Sequence, residues 1–329
     1  MKTIKNCLLI AMCFTSAIVK AQQAPQLSQY MFHGLFINPA YAGYRERLNI
    51  TGVYRSQWTG VDGSPKTSSI AADNAYDDNR VGLGLNIISD KLGWESNFSA
   101  YANYAYRIHF DDDYDEGRVL ALGLGIGVVQ HSIDGTKRNI DPLDNAIDPV
   151  WQNIKKTKIS PDMRIGAFYN TDRFYAGISA DNLITHLFQK KDNSYPMLPK
   201  RKMNLYLNAG CLFPVSENLV VRPSLLYKDA FSGPSSLDLN AFVLMGQRLW
   251  VGGSYRTALS LFKNNNATYP GASAVIFSAQ VYVTEQLRVG YSYDRSLGNS
   301  AALSPSSHEI SIGFLFKGKD EQVLTPRYF

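Results

Sequence analysis

The amino-acid sequence predicts an all-β fold: a transmembrane, antiparallel, up-and-down β-barrel of about 14 strands, with short periplasmic N- and C-terminal segments. Three observations predict it. After residue 46, apolar residues alternate with polar or small ones at period two, again and again, and no helical period competes over a comparable length. Most of these segments run close to the ~9–11 residues that a tilted strand needs to cross a bilayer, longer than the ~5–6 usual in soluble proteins. The connections alternate between long and short, which gathers the long ones at one end. Outer-membrane barrels have that asymmetry, with short periplasmic turns and longer external loops. A soluble β-sandwich shares the alternation but has no reason for the asymmetry.

Composition narrows the class further. Of 329 residues, 12 % are aromatic and 45 % hydrophobic, which excludes a disordered chain. With 25 Gly and 14 Pro, collagen-like and Pro-rich classes are excluded as well. Beyond the N-terminus no apolar run reaches the ~18 residues of a membrane helix, whereas strands hide their hydropathy by alternation.

Residues 1–21 read as an export signal: Lys2 and Lys5, an apolar stretch from Leu8 to Val19, and a cut after Ala21. Its removal takes away Lys2, Lys5 and Lys20, so the formal charge falls from +5 to 5 − 3 = +2, and the electrostatic footprint of a nucleic-acid binder disappears. Cys7 and Cys13 leave with it, and Cys211 alone cannot form an internal disulfide.

Residues 22–46 form an N-terminal periplasmic or plug segment. The stretch from Gln26 to Gly43 is rich in aromatics yet precedes the first strand, and a free tail would not expose so much apolar surface. It is expected to pack in the lumen, against the barrel base or on another protein. Asn38-Pro39, followed by Gly43, marks a turn.

The barrel occupies residues 47–317, in segments at 47–57, 67–76, 80–90, 95–108, 118–131, 160–169, 173–183, 203–213, 219–229, 236–244, 248–258, 272–283, 287–296 and 307–317. The longer connections include 132–159 and 184–202, and the shorter ones 77–79, 170–172, 245–247 and 284–286. Residues 318–329 are a C-terminal periplasmic tail. Tyr104, Tyr106, Tyr169, Phe174, Phe213, Tyr291 and Tyr293 sit near strand ends, where interface girdles lie.

The inward faces carry Arg55, Arg107, Arg164, Arg222, Arg256 and Arg288 with Asp162, Asp181, Asp238 and Asp294, charges expected to cross-link and fill the interior. Inner glycines at 82, 84, 123, 125 and 127 let something approach the wall or ease its curvature. Asp111 to Gly117 fails as a calcium loop, because its Gly falls one place late and Leu122 stands where the bidentate Glu belongs. The five histidines form no zinc pair at short spacing. His308 lies beside Ser306 and Ser307, a dyad in sequence alone. Lys190, Lys191, Lys200, Arg201 and Lys202 make one loop basic. No catalytic residue, metal or cofactor is assigned.

Three runs carry a family resemblance: Gln29-Tyr30-Met31-Phe32, then Ile37-Asn38-Pro39-Ala40-Tyr41-Ala42-Gly43, then Tyr54-Arg55-Ser56-Gln57-Trp58. With Ser307-His308-Glu309-Ile310-Ser311-Ile312-Gly313 and the terminal Pro326-Arg327-Tyr328-Phe329, the chain resembles the PorP/SprF family of Bacteroidetes. The resemblance implies an outer-membrane component of type IX secretion and, in gliding species, of gliding motility. Such a protein anchors or assists export of a cognate cell-surface protein or adhesin. The implied partners are the periplasmic ring of the secretion machine, or an adhesin with a type B C-terminal domain. The family is not known for enzymes. Gln29, Tyr30, Met31, Phe32, Ile37, Asn38, Pro39, Ala40, Tyr41, Gly43, Arg327, Tyr328 and Phe329 are expected as partner-contact or plug residues. Two further readings remain open: an outer-membrane channel or small-solute transporter, and a barrel hydrolase using Ser307 and His308.

Overall fold

The computed structural model describes residues 25–110, 117–135, 155–185, 202–231, 235–259, 274–297 and 306–316. Three 3-10 turns come first: η1 (Tyr30–Phe32), η2 (Gly34–Phe36) and η3 (Pro39–Tyr41). The wall follows: β1 (Asn49–Ser56), β2 (Lys66–Tyr76), β3 (Val81–Leu92), β4 (Glu95–His109), β5 (Val119–Asp134), β6 (Lys155–Asn170), β7 (Phe174–Asp181), β8 (Asn204–Cys211), β9 (Phe213–Ser216), β10 (Leu219–Asp229), β11 (Ser235–Met245), β12 (Leu249–Leu259), β13 (Ala274–Tyr282), β14 (Leu287–Ser296) and β15 (Ser307–Leu315). β8 and β9 are two halves of one wall strand, interrupted at Leu212, and both pair with β10. The result is a 14-stranded antiparallel barrel. β1 closes on β15, from Asn49↔Leu315 to Ser56↔His308, so no strand edge is left along that seam.

The burial pattern shows what solvates each face. Ile126 is 62 % exposed on the outside, while Asp162 and Arg164 on the inside are 0 % and 1 % exposed. A water-soluble sheet would bury its apolar face. Here the charged face is inside and the apolar face is bare, which is stable only when lipid is the outer solvent and every backbone group is satisfied by closure. The chain is an outer-membrane barrel.

Two ends can be told apart. β1 begins at the turn end, where β6 and β7 or β11 and β12 are joined by three residues, and rises to the loop end. Three details of the connections stand out. β5 and β6 are 16 residues each and stay paired as far as Asp134↔Lys155, so the supposed loop 132–159 gives strand at both its ends. At the loop end, β3 and β4 are joined by Gly93 and Trp94 alone. Gly93 takes a left-handed φ of 55°, and its N–H donates to Gly63 O at 2.7 Å, tying this tight hairpin to the β1–β2 loop. The turn-end connection from Phe110 to Arg118 is longer than its neighbours. Residues 1–21, the acidic run 111–116, most of the basic loop and the tail from 318 lie outside the described residues.

Candidate functional site

The interior is occupied by the chain itself. From Leu27 to Tyr44 every residue is buried, among them Tyr30, Phe32, Phe36 and Tyr41. The partners of this segment come from β1, β2, β5, β6, β7, β11, β12, β14 and β15, which surround it on all sides. The described chain starts at Pro25, whose carbonyl accepts from Lys228 Nζ at 3.5 Å among loop-end residues. It then descends to Tyr44 near the turn end and turns back into β1. The N-terminal segment therefore passes down through the barrel from the loop end rather than hanging below it.

Local chemistry explains its shape. The Asn38 side chain accepts from Ala40 N at 2.9 Å and so caps η3, while Pro39 supplies a fixed φ at the first position of the turn. Gly43, at φ 71°, makes the bend toward β1 against the backbone of β3. Short 3-10 turns leave many backbone groups without internal partners, and these are what the wall must satisfy.

The wall satisfies them with four groups of inward side chains. On β15, Glu309 accepts from Ser28 N and Gln29 N, both at 2.7 Å, and from Arg55 Nη1 at 3.1 Å. Arg55 also donates to Ser28 Oγ and to Asp294, each at 2.6 Å, and the Ser28 hydroxyl donates to Asp294 at 2.7 Å. On β6 and β7, Arg164 Nη2 donates to Phe36 O at 2.9 Å and Ser179 Oγ to Ile37 O at 2.6 Å. Asn38 Nδ2 donates to Ala167 O at 3.0 Å. On β2, Asp73 accepts from Gly43 N at 3.0 Å. On β11, Asn240 donates to the Tyr30 hydroxyl at 2.6 Å.

Aromatic packing completes the seat. Phe32 meets Phe242 edge-on at 5.8 Å, and the Arg222 guanidinium lies 4.9 Å from Phe32 and 4.5 Å from Trp250. Tyr41 and Tyr44 pack on Phe168, at 5.5 and 5.6 Å. His33 Nε2 stands 3.2 Å from Ser69 Oγ.

Ten of the thirteen residues singled out in the sequence, Gln29 to Phe32, Ile37 to Tyr41 and Gly43, are thus brought together in one buried segment. Arg327, Tyr328 and Phe329 lie outside the described residues. Ser28 and Asp73 were not singled out; nor was Glu309 as an anchor. The inner glycines divide into two groups. A Cβ on Gly82 or Gly123 would overlap the backbone at Ala42 or Ala40, and Gly84 faces Leu35. Gly125 and Gly127 instead make room for wall side chains, Asn103 and Tyr101. Gly82→Val or Gly123→Val should therefore unseat the segment, at a cost of about 1–3 kcal/mol or more. In a Cys211→Ser background, Met31→Cys should be inert to a membrane-impermeant maleimide, and should become reactive when either valine is added.

Ser307 and His308 cannot act together. Ser307 is buried on the inner face and accepts from Trp58 N at 3.3 Å, whereas His308 lies on the outer face, hydrogen-bonded to the Tyr291 hydroxyl at 2.7 Å. Neighbours in a strand point to opposite sides, so adjacency in sequence defeats the dyad. Among the described residues no cluster of three or more His, Cys, Asp or Glu could hold a metal.

The family model described as "Type IX secretion system membrane protein PorP/SprF" matches residues 19–314. No curated protein sequence matches the chain. Among solved structures, the CymD monoaromatic hydrocarbon channel is similar in fold, with a TM-score of 0.54 at 11 % identity over 88 % of this chain and 94 % of that one. A Pseudomonas aeruginosa FadL homologue matches with a TM-score of 0.49 at 12 % identity, over 92 % and 97 % of the two chains.

Proposed function

The chain belongs to the PorP/SprF family of type IX secretion system membrane proteins, and we propose that it serves as a closed outer-membrane anchor for a cognate exported protein or adhesin. One observation carries the reading: the lumen is filled by the chain's own aromatic segment, pinned by Glu309, Arg55, Arg164 and Asp73. A barrel so filled is suited to holding something at its rim rather than passing solutes. Short turns at one end and longer loops at the other support a periplasmic turn end, with the loops outside. The loops would then meet the exported partner, such as an adhesin with a type B C-terminal domain. Residues 318–329, including Arg327, Tyr328 and Phe329, would meet the periplasmic ring. Delivery of a gliding adhesin is the form this role takes in a motile cell. No catalytic step is assigned to the chain.

The competing reading is a small-solute channel, the activity named for CymD itself. Affinity purification of the tagged chain from gently solubilised outer membranes tests the proposal. Co-purification of a type IX component or a secreted adhesin domain is expected. Recovery of the barrel alone, with a steady conductance in planar bilayers, would favour the channel.

A further inference from the structure

One stretch of the outer wall is neither uniformly apolar nor randomly polar. At the loop end of β15, β1, β2 and β3, four outward residues lie side by side in register: His308↔Ser56, Ser56↔Lys66 and Lys66↔Lys91. The two lysines are directly opposed and exposed. Like charges at opposed positions repel, so the arrangement asks for an anion between them. Among the described residues, the outward positions of β14, β15, β1, β2 and β3 include no Asp or Glu to supply one. The carboxylates of these strands, Asp73, Asp90, Asp294 and Glu309, point inward to other partners.

The rows below grade from polar to apolar. Two residues down each strand stand Tyr291, Ile310, Tyr54, Ser68 and Ser89, again in register. Two further down come Val289, Ile312, Gly52, Ile70 and Ile87. Ile70 and Ile312 are exposed, and between them Gly52 has no side chain, which leaves a shallow furrow. Read from the rim toward the membrane centre, the surface offers cations, then hydroxyls, then a furrowed hydrocarbon face. The row from His308 to Lys91 spans about 14 Å, three strand spacings, and its two lysines stand one spacing of about 5 Å apart.

We propose that this face is a binding site for one phosphorylated lipid of the outer leaflet, with its headgroup phosphate on Lys66 and Lys91, its polar backbone on Ser68, Ser89 and Tyr54, and its acyl chains along Gly52, Ile70 and Ile312. The lysine stems reach up past the apolar wall to place their charges at headgroup level. His308, held by the Tyr291 hydroxyl, closes one side of the headgroup site. The site uses the outer wall alone and is independent of what the loops or the lumen bind.

The probe is diphosphorylated lipid A, titrated onto the detergent-solubilised full chain and counted by native mass spectrometry. A single saturable adduct is expected, and Lys66→Gln with Lys91→Gln should weaken it about thirtyfold, as two near-surface charges imply. Lys155→Gln, an exposed cation at the same end on β6, should leave it unchanged. Equal binding of fully dephosphorylated lipid A would reduce the site to hydrocarbon contact and overturn the proposal. Displacement by inorganic phosphate would assign the cations to a free anion instead, and an equal loss in Lys155→Gln would show unspecific charge attraction. Unchanged heat-modifiability on gels certifies that each variant is folded. Undiminished lipid binding by the folded double variant would also overturn the assignment.

Discussion

Deleting residues 25–44 turns a silent barrel into a conducting one. The full chain, reconstituted in a planar bilayer, is expected to pass no steady current, because aromatic side chains fill the interior and inward charges are spent on backbone groups of the segment. The wall should survive the deletion. Its ladder is continuous from β1 round to β15 without help from residues 25–44, and the hydrogen bonds of a closed sheet are intrinsic to the sheet. What the wall loses is partners: Arg164, Asp73 and Glu309 would face water instead of peptide groups, which lowers stability but hydrates a channel. The expected record is steady openings with ionic selectivity set by the exposed arginines and carboxylates, and Arg164→Gln should shift that selectivity away from anions. A deletion barrel that folds, by heat-modifiability, and remains silent would mean that something other than this segment occludes the lumen.

The wall was readable in the sequence because its physics is local. Period two sorts Leu122, Leu124 and Ile126 from Ala121, Gly123 and Gly125 without reference to any other strand, and lipid on one side makes that sorting strict. Strand ends were less legible. Lys155 to Ile159 carry three lysines and no strong β pattern, yet they pair with residues up to Asp134 because the hairpin is already in register below them. The N-terminal segment was legible as something that must be buried, since Tyr30, Phe32, Phe36 and Tyr41 have no strand to belong to. Where it would be buried was not legible. Its anchors lie far along the chain: Ser28 meets Glu309 across 281 residues and Asn38 meets Ala167 across 129. No spacing rule encodes such pairs. The glycine signal pointed to close approach in general, and only the geometry separates Gly82 and Gly123, which face the segment, from Gly125 and Gly127, which do not. His308 and Ser307 show the opposite failure, a pair that adjacency suggests and strand geometry forbids.

Glu309→Ala should be the most damaging single change in the seat, and the reason is what it leaves behind. The carboxylate accepts two backbone N–H groups at 2.7 Å and one arginine donor at 3.1 Å, at 0 % exposure. Truncation leaves Ser28 N and Gln29 N without their acceptor, and leaves Arg55 with Asp294 alone of its two carboxylates. Breaking one side of a buried ion pair costs about 3–5 kcal/mol. Glu309→Gln keeps the shape and one carbonyl acceptor, so a smaller loss is expected, close to a charge-assisted hydrogen bond of about 1.5–3 kcal/mol. The sign of the coupling distinguishes an anchor from mere packing. If Glu309 acts by neutralising Arg55, then Arg55→Met with Glu309→Gln should cost clearly less than the sum of the two single changes, because neither charge is then stranded. The loss should be read in two ways: as the temperature at which the folded gel band disappears, and as maleimide reactivity at Met31→Cys. A variant that lowers the first without raising the second has weakened the β1–β15 seam, not the segment. Both are expected to move together, since Glu309 and Asp294 belong to the last two strands, Arg55 to the first, and Ser28 to the segment that all three hold. Glu309 thus couples the seat of the segment to the β1–β15 seam, although the backbone ladder of that seam closes without the segment.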